Sequence, residues 1–368
     1  MSTNLEPANG SRVHAGKTLA DSLPPSDEEI LRVEDLTVEF PTDDGMVHAV
    51  RGVDYSVRER EVLGIVGESG SGKSVSSMAI MGLLPGNARV RGSIRYRGKD
   101  LLRMREKEHR SLRGEKIAMI FQDPMTSLNP VQTIGDQLAE AVLSHHLVSR
   151  KQALTRAKEM LDLVGIPRPE ARLKSYPHEF SGGMRQRVMI AMAIINDPDL
   201  IIADEPTTAL DVTVQAQILE KLLEVKDEVN AAILMITHDL GVIAGMAHRV
   251  LVMYAGRPVE IGNVDVVFNQ PRMPYMAGLL GSLPHLDATE HERLRPIVGT
   301  PPSLINVPPG CPFSPRCPLA DDSACVTTEP ELAPTDADEH YAACHHWSRL
   351  AQVDDPTAYF RAESERSR

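Results

Sequence analysis

The sequence predicts an α/β fold built on a parallel β-sheet, and three observations support this prediction. A short apolar run from Val62 to Val66 alternates little and is followed by a glycine, as is typical of strands buried on both faces. A second apolar run, Leu200 to Ala203, ends in two carboxylates, and a third, "AAILMI", leads into "THDL". At 368 residues the chain is long enough for one large core and a smaller second unit.

Composition excludes several classes of protein. The chain is 42% hydrophobic and 24% charged, which is typical of a soluble globular protein. No run approaches the roughly 18 apolar residues of a membrane-spanning helix, and the N-terminus lacks the apolar core of a secretory signal. We therefore expect a chain that does not itself cross a bilayer and whose residues 1–28 form a disordered tail. A net charge of −12 argues against nucleic acid as a partner.

The first predicted strand leads into a glycine-rich loop, "GESGSGKS", and then an apolar helix. The spacing Gly67-x-x-x-x-Gly72-Lys73-Ser74 lets backbone N–H groups point into one hollow at the positive end of the helix. Lys73 would reach the β- and γ-phosphates, and the Ser74 hydroxyl would bind Mg²⁺. The alternative is a glycine-rich turn that only links strand to helix, but the strand, loop and helix in register favour a phosphate site.

Polar residues at the ends of later strands indicate hydrolytic chemistry. Asp204 and Glu205 follow a buried strand, where adjacent acids are costly unless they are used. Asp204 can hold Mg²⁺, while Glu205 faces the γ-phosphate as a base for the attacking water. Gln122 follows the strand-like "KIAMI" and can meet a metal ion or water, although a structural strand end is an alternative. His238 lies where ligands of open α/β sheets collect, and we expect it to contact the γ-phosphate.

A second anion site is predicted at "FSGGMRQR", where Ser181, Gly182 and Gly183 precede an apolar helix. The backbone N–H groups at the start of this helix are available to an anion.

Taken together, these motifs resemble the nucleotide-binding subunit of an ABC transporter over roughly residues 31 to 265. The resemblance implies an ABC-type P-loop ATPase core with ATP and Mg²⁺ as ligands, and it implies that Phe40 stacks on adenine. Ser74, Gln122 and Asp204 would hold Mg²⁺. The resemblance assigns the family's motifs as follows: the Walker A loop (Gly67, Glu68, Ser69, Gly70, Ser71, Gly72, Lys73 and Ser74), the Q-loop (Gln122), the signature (Ser181, Gly182, Gly183 and Met184), Walker B (Asp204 and Glu205), the D-loop (Asp211) and the switch histidine (His238). It also implies that the signature acts in trans, on ATP held by another subunit.

Four further stretches resemble the oligopeptide and dipeptide branch of bacterial importers: "ESGSGKSV", "FQDPMTSLNP", "FSGGMRQRVMIAMAI" and "CPFSPRCPLA". The resemblance implies an ATPase at the cytoplasmic face of the membrane that powers import of di- or oligopeptides. It implies a second, paralogous ATPase subunit, two membrane permeases and an extracytoplasmic peptide-binding protein. Nickel chelates or glutathione as cargo, and a soluble non-transport ABC ATPase, are the alternatives.

The domain organisation follows from composition and periodicity. We expect a nucleotide-binding domain over residues 29–268, with an antiparallel β portion near its N-terminus and a helical insert at about 123–180. "HRVLVMYAGRPVEIG" predicts a hairpin that turns at Ala255 and Gly256. From about residue 270 the sequence becomes proline-rich, and we expect a C-terminal extension over 269–350 followed by a tail over 351–368.

Every cysteine lies in this extension, at Cys311, Cys317, Cys325 and Cys344. Disulfides are disfavoured for a subunit expected in the reducing cytoplasm. Unrelated buried thiols are a further alternative, although a proline-rich segment with few large apolar residues does not resemble a core. Structural zinc sites usually pair cysteines two to four residues apart, whereas these spacings are wider and suit a four-iron cluster. The importer branch resembled here can carry a 4Fe-4S cluster on cysteines in this pattern. Zinc, with His345 and His346 as alternate ligands, remains the alternative.

Overall fold

The structure is a computed structural model that describes residues 27–123, 127–207, 211–283, 297–321 and 323–360. The predicted N-terminal tail lies outside these residues except for its last two. Of the predicted C-terminal tail, residues 351–360 are described.

Two β-sheets form the framework. The smaller sheet has the order β2-β1-β4-β5 and is antiparallel, which confirms the predicted N-terminal β portion. The larger sheet has the order β11-β12-β10-β9-β3-β8-β7-β6. Its strands β9, β3, β8, β7 and β6 run parallel, which confirms the predicted α/β class. The strands are β1 Glu29–Thr42, β2 Gly45–Arg58, β3 Val62–Val66, β4 Arg89–Tyr96, β5 Lys99–Asp100, β6 Ile117–Ile120, β7 Leu200–Asp204, β8 Ala232–Ile236, β9 Arg249–Tyr254, β10 Arg257–Asn263, β11 Ala333–Pro334 and β12 Tyr341–Ala342.

Helices cover the large sheet and form the insert between β6 and β7. None of the described helices combines the length and apolar composition needed to span a membrane. The α-helices are α1 Lys73–Met81, α2 Glu106–Leu112, α3 Ile134–Leu143, α4 Arg150–Leu163, α5 Pro169–Arg172, α6 Gly182–Ile194, α7 Val212–Glu228, α8 Leu240–Met246, α9 Val264–Asn269, α10 Pro274–Gly281, α11 Ala324–Thr327 and α12 Trp347–Leu350.

The core lies on both faces of the parallel strands. Along β3, Val62 and Val66 belong to the cluster that packs against the helices, whereas Leu63 and Ile65 belong to the cluster that includes the small sheet. This division follows from the alternation of side chains along a strand. It explains why β3 is apolar at nearly every position rather than at every second one.

The hairpin between β9 and β10 turns at Ala255 and Gly256, as predicted. Both residues have positive φ, 47° and 81°, which matches the two-residue turn that suits the twist of antiparallel strands. The hairpin brings β10 antiparallel to β9 and so ends the parallel part of the sheet.

The C-terminal extension continues the large sheet. β12 pairs with β10 through Glu260 opposite Ala342 and Ile261 opposite Tyr341. The buried Glu260 carboxylate contacts the His340 Nε2 atom at 2.8 Å and accepts the Arg272 N–H at 2.5 Å. Burial raises the pKa of Glu260, because the charged form loses its hydration. The extension is therefore joined to the core by backbone pairing and by a buried polar cluster.

Candidate nucleotide site and cysteine cluster

The glycine-rich loop connects the end of β3 to the start of α1. Gly67 and Gly72 have φ values of 151° and 99°, which disfavour any residue with a side chain. A Cβ atom at Gly67 would lie 2.2 Å from the Met253 carbonyl oxygen, and one at Gly72 would lie 2.4 Å from that of Ala49. Both backbone conformation and space therefore require glycine at these two positions.

Lys73 is folded back onto the loop that it follows. Its Nζ atom donates to the Gly67 carbonyl at 2.7 Å and to the Glu68 carbonyl at 3.0 Å. The residue is only 6% exposed, and burial lowers the pKa of the ammonium group despite nearby carboxylates. An arriving phosphate would offer this buried cation oxygens of opposite charge in place of neutral carbonyls.

A hydroxyl and a carboxylate meet beside the loop. The Ser74 hydroxyl donates to the Asp204 carboxylate at 3.0 Å. Burial raises the pKa of Asp204, which indicates that this carboxylate lies in a site where a cation would stabilise its charge. Oxygen donors of this kind suit Mg²⁺, so the residues present fit the ion that the sequence predicts.

Two predicted residues, Gln122 and His238, converge on the carboxylate of a third, Glu205. Glu205 accepts a hydrogen bond from the Gln122 amide at 3.0 Å, and its other oxygen lies 3.2 Å from the His238 Nδ1 atom. The convergence arises because the parallel strands β6, β7 and β8 end at the same edge of the sheet. Glu205 has a positive φ of 47°, a strained conformation for this residue, and its N–H donates to the Ile236 carbonyl at 2.8 Å.

The predicted signature lies at the start of α6. The Ser181 hydroxyl accepts the Met184 N–H at 3.4 Å and caps the helix, while Gly182 is exposed. A Cβ atom at Gly183 would lie 2.7 Å from the Val214 side chain on α7. Asp211 caps α7 by accepting the Val214 N–H at 3.0 Å. The signature and the D-loop aspartate are thus attached to two helices in contact, and residues 209–210 lie outside the described residues.

Phe40 lies on β1 opposite Val47, partly buried against the cluster that includes the small sheet. Its stacking on adenine stays a prediction. The main chain of the neighbouring β2 comes close to the phosphate loop at Ala49.

The four cysteines are free thiols, and hydrogen bonds connect the segments that carry them. The Cys311 N–H donates to the Cys325 carbonyl at 2.8 Å, and the Cys344 sulfur accepts the His346 N–H at 3.3 Å. Burial raises the pKa of Cys317 and of Cys344 to about 12, with a smaller contribution from the charge of neighbouring cysteine thiolates. Thiols whose charges interact disfavour one another's ionisation, and a bound cation would reverse this effect.

A tighter group lies at the edge of these thiols. Among the described residues, Asp321, Cys325 and His346 are the one set of three metal-ligand side chains whose donor atoms all lie within 4.8 Å of one another. Of the two histidines predicted as alternate zinc ligands, only His346 belongs to this group. The Nε2 atom of His345 lies 2.9 Å from the Thr328 carbonyl oxygen instead.

Two contacts of the phosphate loop were not predicted from the sequence. The Glu68 N–H donates to the Tyr275 hydroxyl at 2.8 Å, and the Glu68 carboxylate accepts two hydrogen bonds from Arg316 at 2.7 and 2.8 Å. Both partners belong to the C-terminal extension. The signal that could have indicated them is Glu68 itself, an acid in an anion-binding loop that needs a cation nearby.

Two family models match the sequence. The model described as "ABC transporter" matches residues 50–208, and the model described as "Oligopeptide/dipeptide transporter, C-terminal region" matches residues 259–325.

Similar proteins cover most of the chain. The dipeptide transport ATP-binding protein DppD of Bacillus subtilis is 57% identical over 293 residues, 79% of this chain and 87% of that protein. The oligopeptide transport ATP-binding protein OppD of Escherichia coli is 56% identical over 293 residues, 80% of this chain and 87% of that protein. OppD of Mycobacterium tuberculosis is 56% identical over 316 residues, 86% of this chain, which spans only 51% of that relative's length.

A solved structure agrees with the fold. A dimeric ATP-binding cassette in a post-hydrolysis state, bound to ADP and Pi, matches with a TM-score of 0.57 and 25% identity over 64% of this chain and 98% of that one. The fold and the loop at its sheet edge are those of an ATP-binding cassette. The chain belongs to the ABC transporter ATP-binding family, in the branch of oligopeptide and dipeptide transport ATP-binding proteins, which confirms the predicted resemblance.

Proposed function

We propose that this chain is an ATP-hydrolysing subunit that powers import of di- or oligopeptides through partner membrane permeases. The convergence of Gln122 and His238 on Glu205, beside the phosphate loop, carries this proposal. The names of the relatives, oligopeptide and dipeptide transport ATP-binding proteins, support the cargo class.

Each residue of the site has a chemical role in this proposal. Loop N–H groups from Gly67 to Ser74 and the Lys73 ammonium bind the phosphates. Ser74, Asp204 and Gln122 would hold Mg²⁺, which supplies positive charge to the phosphates. Glu205 takes the proton of the attacking water, and His238 stabilises the γ-phosphate.

The signature residues Ser181 to Met184 act in trans in this proposal, on ATP held by a second ATPase subunit. The exposed start of α6 supports this, because the positive end of a helix at the surface can bind an anion. We propose a paralogous subunit as the partner, with two permeases and an extracytoplasmic peptide-binding protein completing the importer at the cytoplasmic face of the membrane.

We expect the purified subunit alone to be largely monomeric and a weak ATPase, because its site lacks the partner's signature. Light scattering and phosphate release at increasing protein concentration measure both properties. Addition of the paralogous subunit and the permeases should increase the rate. Strong turnover by a dilute monomer, without dependence on concentration, would contradict the two-subunit site.

Membrane association separates an importer subunit from a soluble ABC ATPase. In cell fractionation we expect the chain to sediment with membranes when the permeases are present and to remain in the supernatant when they are deleted. Sedimentation with ribosomes, independent of the permeases, would favour the non-transport alternative.

We further propose that the cysteine cluster of Cys311, Cys317, Cys325 and Cys344 holds a 4Fe-4S cluster with a structural role. Partly buried thiols whose charges disfavour one another support a site that needs cationic charge. The described ligand group within 4.8 Å contains only one of the four cysteines, so the four thiols do not by themselves form a compact four-thiolate zinc site. Such a cluster would supply cross-links between the loops of a proline-rich segment.

Anaerobic purification tests this assignment. We expect a brown protein with broad absorbance near roughly 400 nm and about four irons per chain, as thiolate-bound clusters give. Cys317→Ser should lower the iron content, and His345→Ala, which changes a side chain outside the thiol group, should not. A colourless protein with one zinc per chain would contradict the iron-sulfur proposal and favour the zinc alternative.

A further inference from the structure

Glu68 poses an electrostatic problem for the phosphate loop. It lies inside the predicted anion site, and its carboxylate is near enough to Lys73 that its charge offsets a small part of the burial that lowers the pKa of that lysine. A bare carboxylate beside a triphosphate repels it, because like charges in a partly buried site interact strongly. The loop therefore needs a cation that neutralises Glu68 without competing for the phosphates.

Arg316 of the C-terminal extension meets this need. Its two terminal nitrogens donate to the two Glu68 oxygens at 2.7 and 2.8 Å, a bidentate arrangement. The Arg316 side chain is 4% exposed, whereas that of Glu68 is 27% exposed. A guanidinium fork of this kind binds a carboxylate in one orientation, which Lys in its place would not reproduce.

The guanidinium of Arg316 is itself fixed by the extension and the core. Its Nε atom donates to the Val298 carbonyl at 3.1 Å, and Nη1 donates to the Tyr254 hydroxyl at 3.2 Å. The group also lies 5.9 Å from the ring centres of Tyr254 and Phe313. Arg316 thus remains in place independently of Glu68, as a positioning residue must.

The main chain of Glu68 is held from the same side. Its N–H donates to the Tyr275 hydroxyl at 2.8 Å, and Tyr275 packs against Tyr254 and Phe313 with ring centres 4.6 and 5.4 Å away. The backbone and the side chain of Glu68 are therefore both bound by residues of the C-terminal extension, Tyr275 and Arg316.

We propose that Arg316 is a positioning residue for ATP binding: it neutralises Glu68 and keeps that carboxylate away from the triphosphate, so that ATP affinity depends on the C-terminal extension. The inference rests on the proposed ATP site. Because Arg316 directly precedes Cys317, the cysteine cluster and the phosphate loop are connected through one short segment. A disturbance of the cluster therefore reaches the nucleotide site through this arginine.

The test measures dissociation constants of a non-hydrolysable ATP analogue and of ADP for the full-length chain and its variants. Arg316→Gln should weaken binding of the ATP analogue about tenfold, a common size for coupling between sites. The loss should be smaller for ADP, which carries less charge, and should shrink at high salt, which screens the exposed carboxylate. In a Glu68→Gln background, Arg316→Gln should cause no further loss of affinity, so that the double variant binds the ATP analogue like Glu68→Gln alone.

Arg272→Gln is the matched control. The Arg272 side chain is 6% exposed against 4% for Arg316, and its guanidinium also binds a carboxylate bidentately, that of Asp336 at 2.8 and 3.0 Å. Loss of this pair should lower the melting temperature of the extension and leave nucleotide affinity unchanged.

Three results overturn the inference: unchanged affinity in Arg316→Gln, an equal loss in the Glu68→Gln background, or an equal loss in Arg272→Gln. If the wild-type chain itself binds no nucleotide, the proposed function fails as well. Binding by wild type with no effect of Arg316→Gln contradicts only the role of Arg316.

Discussion

Glu205→Gln is expected to slow ATP hydrolysis by on the order of 10² to 10⁴, the usual contribution of a positioned general base, while ATP still binds. The substitution removes the carboxylate that takes the proton of the attacking water. It preserves the size of the side chain and its ability to hydrogen-bond Gln122 and His238, which lie 3.0 and 3.2 Å away. Because the loop N–H groups and Lys73 are the groups expected to bind the phosphates, nucleotide affinity should change little.

Single-turnover phosphate release and equilibrium binding of ATP measure these two effects separately. Glu228→Gln provides the control, since it makes the same chemical change at an exposed position at the end of α7. Turnover of Glu205→Gln at the wild-type rate would exclude Glu205 as the base. A loss of binding equal to the loss of rate would instead indicate a role in holding the nucleotide.

Lys73→Ala is expected to weaken ATP binding by roughly 10- to 100-fold, because a charge-assisted hydrogen bond contributes about 1.5–3 kcal/mol. The lysine is buried and lies among the loop carbonyls that a bound phosphate would replace as its partners. Its removal also leaves the Gly67 and Glu68 carbonyls without this donor, so the melting temperature of the free protein should fall slightly.

Titration with a fluorescent ATP analogue measures the affinity, and Lys107→Ala, which removes an exposed lysine from α2, is the control. An ATP dissociation constant equal to that of wild type would show that Lys73 does not pair with phosphate.

The nucleotide motifs could be predicted from the sequence because their rules are local. Gly67 and Gly72 are required by backbone conformation, and Lys73 follows them by spacing alone. The convergence of Glu205 with Gln122 and His238, which follow β6 and β8, was also predictable, because parallel strands place their carboxyl ends at one edge.

The contacts of the C-terminal extension could not be predicted in this way. Arg316 and Glu68 are 248 residues apart in sequence, and no periodic pattern relates them. The strands that join the extension to the sheet, β11 and β12, are two residues each, too short to produce an alternating pattern. The proline-rich composition of the extension also predicts loops rather than these strands.

Peptide uptake by cells that carry the complete importer tests the central claim most directly. In a strain deleted for this chain, the wild-type chain should restore accumulation of radiolabelled di- or oligopeptides, and Glu205→Gln, expressed at the same level, should not. Glu228→Gln should restore uptake as fully as wild type. Accumulation with Glu205→Gln equal to that with wild type would contradict the account, because import would then proceed without ATP hydrolysis at this site.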